Sequence, residues 1–232
     1  MWHLDYLDNE KEDNYLKIPI NKSETLFDKI KEKRDAIAIS NVKRYLTDKK
    51  LKELLISKPK DLYSKIDDYK RRFFLNEYNE WIEAKTKKKN RTTEQQLLVD
   101  RYRTVIDVFD YENLISEKPE VSYEVAKLIG VNTCVYCNRQ YIFTVDSENN
   151  HITRPEFDHY LPKSEYPFFA LSLYNLIPSC HICNSNCKGT IELDKNLNPY
   201  STKPNEDYFK FTYHIGKSGL PSSVQIKDRK KT

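Results

Sequence analysis

Cys134-Val-Tyr-Cys137 and Cys180-His-Ile-Cys183 decide how this chain is read, with residues 138–179 between them. Two residues between thiolates let both sulfurs of a knuckle reach one ion, and a second knuckle completes a tetrahedral site. A single pair could be a redox motif, but two pairs predict a structural Zn²⁺ bound by all four cysteines. Iron in a rubredoxin-like site is the alternative metal. A closed four-sulfur site has no open coordination position, so any chemistry must come from residues beside it. His181 lies inside the second knuckle and is expected to face away from the metal. The fifth cysteine, Cys187, has no sequence partner and is expected to act as a small apolar filler.

Outward from the knuckles, the 232-residue chain changes character near residue 121. Residues 1–121 read as an α-helical region, and 122–232 as a zinc-stapled domain with a closing β-hairpin, giving an α+β fold. Asn21-Lys-Ser-Glu24 has the form of a capping box before Leu26, Phe27, Ile30 and Ile37. A short helix around Leu51, Leu54 and Leu55 ends before Pro59. Leu62, Ile66, Tyr69, Phe73, Phe74, Tyr78 and Trp81 then run at helical spacing. Thr93 with Gln96 predicts the cap of a helix bearing Leu98, Tyr102, Val105 and Phe109. Between these helices, Lys85–Arg91 is a basic run that fits a solvated turn or a phosphate-contacting patch. Ser122–Ile129 predicts one more helix, closed by Gly130 in a left-handed C-cap. Gln140–Val145 and Ile152–Phe157 predict a hairpin around 147–150, and Tyr208–Ile215 with Val224–Ile226 a second.

Composition narrows the function. Four glycines occur, none before Gly130. That excludes the phosphate-binding P-loop, the dinucleotide turn and the strained serine elbow, which all need glycines at fixed offsets. The net charge of +4 permits a local nucleic-acid patch without requiring one. The start, MWHLDYLDNE, is too acidic for a secretory signal. The charge-free stretch from Tyr166 to Cys187 is broken by prolines and asparagines, so it reads as the buried sector of a site rather than a membrane span. An odd cysteine count, mostly in metal-type spacing, predicts a cytoplasmic protein.

Four residues between and around the knuckles carry the chemistry: Asp158, His159, Asn175 and Asn184. Histidine titrates near neutrality, so His159 can take a proton from water. A carboxylate and a carboxamide oxygen are hard donors suited to Mg²⁺ or Mn²⁺. In a regular strand Asp158 and His159 would point to opposite faces, so the strand must break there, as Leu161-Pro162 suggests. A lone Asp-His pair is more often structural than catalytic; its order between the knuckles is what makes a site of it.

The segments Glu156-Phe-Asp-His-Tyr-Leu-Pro-Lys-Ser164, Leu173-Tyr-Asn-Leu-Ile-Pro-Ser-Cys180 and Cys183-Asn-Ser-Asn-Cys-Lys-Gly189 together resemble the HNH (ββα-metal) endonuclease family, in its variant with two zinc knuckles. The resemblance covers Cys134 to Gly189. It implies His159 as general base, Asp158 and Asn184 as ligands of one catalytic divalent ion, and Asn175 as the brace that orients the histidine. The family commonly has lysine three residues after the last asparagine, whereas Lys188 here lies four after Asn184, which leaves Asn186 as an alternative ligand. Lys188 and Arg139 are the expected nucleic-acid phosphate contacts. Among HNH proteins the motifs are most similar to anti-phage nucleases of the Septu type, encoded beside an ATPase and sometimes with a retron. Such a resemblance implies hydrolysis of DNA, or of RNA such as tRNA, and a helical region that docks on a separate ATPase subunit. The competing reading is a non-catalytic zinc-binding module for nucleic acid or protein.

Overall fold

A computed structural model describes residues 3–147, 150–201, 209–216 and 219–228. The first part is helical: α1 (Asn9–Leu16), α2 (Leu26–Asp35), α3 (Ser40–Tyr45), α4 (Asp48–Leu55), α5 (Pro59–Phe74), α6 (Tyr78–Thr86), α7 (Thr93–Ile106) and α8 (Pro119–Ile129). Pro59 and Pro119 occupy first-turn positions, where a missing N–H costs nothing. Gly130 closes α8 at φ 69°, as the sequence predicts.

Local chemistry moved several boundaries. The capping box that opens α2 is Thr25 with Asp28, not Asn21 with Glu24. Asn21 instead turns the chain, its Oδ1 accepting from the Ser23 and Glu24 amides at 2.9 Å. The box on α7 is Thr92 with Gln95, one residue earlier than expected. The long apolar run from Leu62 to Trp81 is two helices, because Leu75 (φ 48°) and Asn76 (φ 71°) reverse the chain between α5 and α6. The basic run becomes a turn: Arg91 folds back onto the Ala84 and Lys85 carbonyls at 2.7 and 3.1 Å.

Three antiparallel two-stranded sheets follow: β1 (Val145–Ser147) with β2 (Asn150–Thr153), β3 (Glu156–His159) with β4 (Leu176–Ser179), and β5 (Phe209–Ile215) with β6 (Pro221–Asp228). The expected strand 152–157 is thus divided at Arg154-Pro155, one piece pairing back to β1 and the other forward to β4. The 147–150 turn and the start of the closing hairpin fall partly outside the described residues (Glu148, Asn149, Tyr208).

One hydrophobic core runs from Leu4 through the helices to Tyr160, Phe168, Phe169, Leu176 and Tyr200. Polar links cross the expected boundary near residue 121. Tyr15 donates to the Leu171 carbonyl at 2.7 Å, Ser172 to the Leu54 carbonyl at 2.9 Å, and Tyr174 to Glu12 at 2.5 Å. The helical region therefore packs as a wall of the region that carries the knuckles. Residues 166–180 of the charge-free stretch are buried, as expected, whereas 181–187 are exposed or half-buried, and among the described residues no helix is long and apolar enough to cross a membrane.

Candidate functional site

Cys134, Cys137, Cys180 and Cys183 converge, with all four sulfurs within 4.8 Å of one another. Tetrahedral zinc thiolate sulfurs lie about 3.8 Å apart, so the four thiols fit such an ion. The first knuckle is a tight turn: the Cys134 N–H donates to the Gln140 carbonyl and the Asn138 N–H to the Cys134 carbonyl, both at 2.8 Å, with Asn138 at φ 49°. Against the upward push of desolvation, backbone hydrogen bonds at Gln140 and Arg139 bring the Cys137 thiol down to about 7, whereas burial pushes the Cys134 and Cys183 thiols up, so a bound cation is what would hold all of them as thiolates. Ile142 packs against Cys134 and Cys180. His181 is turned to Glu156, with Nδ1 2.8 Å from Oε1. Cys187 is exposed and outside the cluster, so it fills no core.

Beside this cluster lies an open cavity of about 410 Å³, lined by Asp158, His159 and Asn184 together with Tyr111, Arg154, Glu156 and Lys163. Strand β3 ends at His159, opposite Leu176, so the backbone turns away where the two neighbouring side chains must share a cavity. Asn184 sits one residue after Cys183 on the short helical segment Ile182–Lys188, which follows β4 directly.

Asp158 is 3% exposed. The Tyr136 hydroxyl, from inside the first knuckle, donates to Oδ2, and the Lys188 ammonium lies 3.0 Å from Oδ1. Burial pushes the carboxyl above its usual range, against the opposing pull of Lys188 and Tyr136. His159 donates Nε2–H to the Ala170 carbonyl at 2.9 Å, because a carbonyl can only accept. That tautomer leaves the lone pair on Nδ1. Burial depresses the imidazole to about 3, with Lys163 and Lys188 adding to the effect, so His159 does not titrate near neutrality as expected; it stays neutral at physiological pH with Nδ1 able to accept, and is a weaker base than a free histidine. The Tyr111 ring stands nearly perpendicular to the imidazole, with the ring centroids 4.5 Å apart.

Asn175 is 1% exposed and does not line the cavity. Its Oδ1 accepts from the Leu161 N–H at 2.7 Å, and its Nδ2 donates to the Leu161 and Phe169 carbonyls at 3.1 Å. It thereby clamps the loop after His159 to the segment that supplies Ala170. Arg139 is exposed and does not line the cavity. Lys188 departs from the surface position expected of a phosphate contact. It is 6% exposed, and its ammonium also donates to the His159 carbonyl at 2.9 Å, so its charge is used inside the fold. Asn186 is exposed and away from the cavity.

Sequence reading missed Tyr136, Glu156, Arg154 and Lys163. Glu156 could have been found by period two, since it shares a strand face with Asp158. Arg154 stacks over Phe157 and donates to the Pro155 carbonyl at 2.8 Å, and among the described residues no carboxylate pairs with it. Lys163 pairs with Glu112. The cavity thus offers carboxylate and carboxamide oxygens, a neutral imidazole and guanidinium and ammonium groups. This donor set suits a hard divalent cation and an anionic ligand.

The chain is 29% identical over 116 residues to the Septu protein PtuB of Bacillus thuringiensis, a match covering 49% of this chain and 42% of that protein. It is 34% identical over 73 residues to protein ea31 of Escherichia phage lambda, covering 30% of this chain and 25% of that protein. The chain therefore spans less than half the length of either relative. No protein-family model and no solved structure matches it.

Proposed function

We propose that this chain is a metal-dependent endonuclease of HNH type, hydrolysing phosphodiester bonds in DNA or RNA. The observation that carries the reading is the meeting of Asp158, His159 and Asn184 on one cavity beside the four-cysteine cluster. His159 is the general base: Nδ1 takes a proton from the attacking water as its oxygen bonds to phosphorus. The P–O3′ bond breaks and the leaving oxygen gains a proton, giving 5′-phosphate and 3′-hydroxyl ends. Asp158 and Asn184 would hold Mg²⁺ or Mn²⁺, which when bound offsets negative charge on the phosphate and leaving oxygen. Arg154 is the cation that would meet the phosphate, and zinc bound by the four cysteines would hold Asn184 in register with His159.

The similarity to a Septu protein supports a place in anti-phage defence. In that setting the helical region would dock on a separately encoded ATPase subunit in the cytoplasm. Plasmid nicking in Mg²⁺ tests the enzyme reading. His159→Ala should lower the rate by about 10²–10⁴-fold at unchanged zinc content. Nicking that survives this substitution unaltered would leave a zinc-binding interaction module as the better description.

A further inference from the structure

We infer that Glu156 is a positioning residue that fixes the carboxamide of Asn184 with its oxygen toward the cavity. The inference rests on the reading of Asn184 as a ligand of a divalent cation. Glu156 opens β3 on the same face as Asp158, and its carboxylate crosses to the segment Ile182–Lys188. Oε2 accepts from Asn184 Nδ2 at 2.8 Å, and Oε1 lies 2.8 Å from His181 Nδ1. A carboxylate can only accept, so the amide nitrogen must be the end that faces Glu156. Among the described residues no protein donor meets Asn184 Oδ1, which makes it the end left for a ligand.

The terminal torsion of an asparagine is broad and nearly two-fold. Zinc bound by the four cysteines would fix the Asn184 backbone through Cys183 but could not choose which end of the amide enters the cavity. Glu156 makes that choice. His181 holds the second carboxylate oxygen, which keeps Glu156 directed at the helical segment. The bond from strand to helical segment thus converts a half-buried amide of two orientations into a single oxygen donor.

The test compares the zinc-loaded full chain with Glu156→Ala and Glu156→Gln. Glutamine keeps both contacts, since its oxygen can accept from Asn184 while its amide donates to His181 Nδ1. Two readouts are taken: the side-chain amide resonances of Asn184, identified by their loss in Asn184→Asp, and Mn²⁺ affinity by titration. Glu156→Ala should move the Asn184 resonances toward those of a free amide and weaken Mn²⁺ about tenfold. Glu156→Gln should retain the resonances and most of the affinity. Unmoved resonances in Glu156→Ala would overturn the inference. So would a Glu156→Gln variant as weak for Mn²⁺ as the alanine variant, which would make the carboxylate charge itself the functional feature. If the wild type binds no Mn²⁺ while the resonances respond as expected, the nuclease reading falls and the positioning of Asn184 stands.

Discussion

Tyr136 ties the four-cysteine cluster to the candidate site. It sits between Cys134 and Cys137, and its hydroxyl donates to Asp158, so the first knuckle touches the site directly. Burial raises the phenol far above its usual value, which keeps it a donor at every working pH. On the proposed nuclease reading, with Asp158 as a metal ligand, Tyr136→Phe should leave zinc content intact and reduce cleavage about tenfold, as loss of an outer hydrogen bond to a ligand does. Metal analysis and initial rates on one preparation check this. Asn175 has a different job. Its replacement by Ala strands the Leu161 N–H and carbonyl in a dry interior, while the Phe169 carbonyl keeps its bond from the Ser172 N–H, at a cost of about 1–3 kcal/mol. Thermal melts should show a drop of several degrees. Asp158, His159, Asn175 and Asn184 stood out in the sequence through the resemblance of their segments to a nuclease family; three of them line one cavity, and Asn175 lies behind it. The sequence hid the burial of Lys188, since a lysine reads as surface until its partners, here Asp158 and the His159 carbonyl, are known.

Among the elements, helices were legible where their apolar stripes were, and their ends were not. The Leu62–Trp81 run keeps helical spacing across a break, because the left-handed pair Leu75-Asn76 restores the stripe in the next helix. Glu77 secures that junction. Its carboxylate accepts from Tyr102 at 2.5 Å and from Arg101 at 2.8 and 2.9 Å. Glu77→Ala should cost about 1 kcal/mol, checked by denaturant titration. The Tyr102 hydroxyl, and then Arg101, hold this carboxyl below the usual glutamate range. A depressed folded value contributes stability above the unfolded glutamate pKa of about 4.3, and loses it as pH falls through the folded value. Melting temperatures of Glu77→Gln should accordingly fall less steeply than wild type on acidification below about pH 5. Strand limits were misread for a similar reason. Ile152, Thr153 and Phe157 are strand formers, but Pro155 between them lacks an N–H to donate to a ladder, so pairing changes partner there.

Across the whole molecule, the helical region and the knuckle region share one core, and Tyr111 of the former meets the His159 ring. Composition shifts near residue 121 were legible, but the packing across that point was not, because tyrosine hydroxyls reaching distant carbonyls leave no local signature. Zinc removal should be felt far from the sulfurs. The Ile182–Lys188 segment carries Asn184 and Lys188, and Lys188 anchors Asp158 and the His159 backbone. Chelation of zinc should thus abolish cleavage without recovery on adding Mg²⁺ alone, and loosen β3 and β4 in hydrogen exchange. The most direct test of the account is anomalous diffraction from zinc-loaded crystals soaked in Mn²⁺. The account predicts a zinc peak among the four cysteines, and a separate manganese peak in the cavity at about 2.0–2.2 Å from oxygens of Asp158 and Asn184. Manganese bound elsewhere, or nowhere, in crystals whose cysteine site is full of zinc would contradict it.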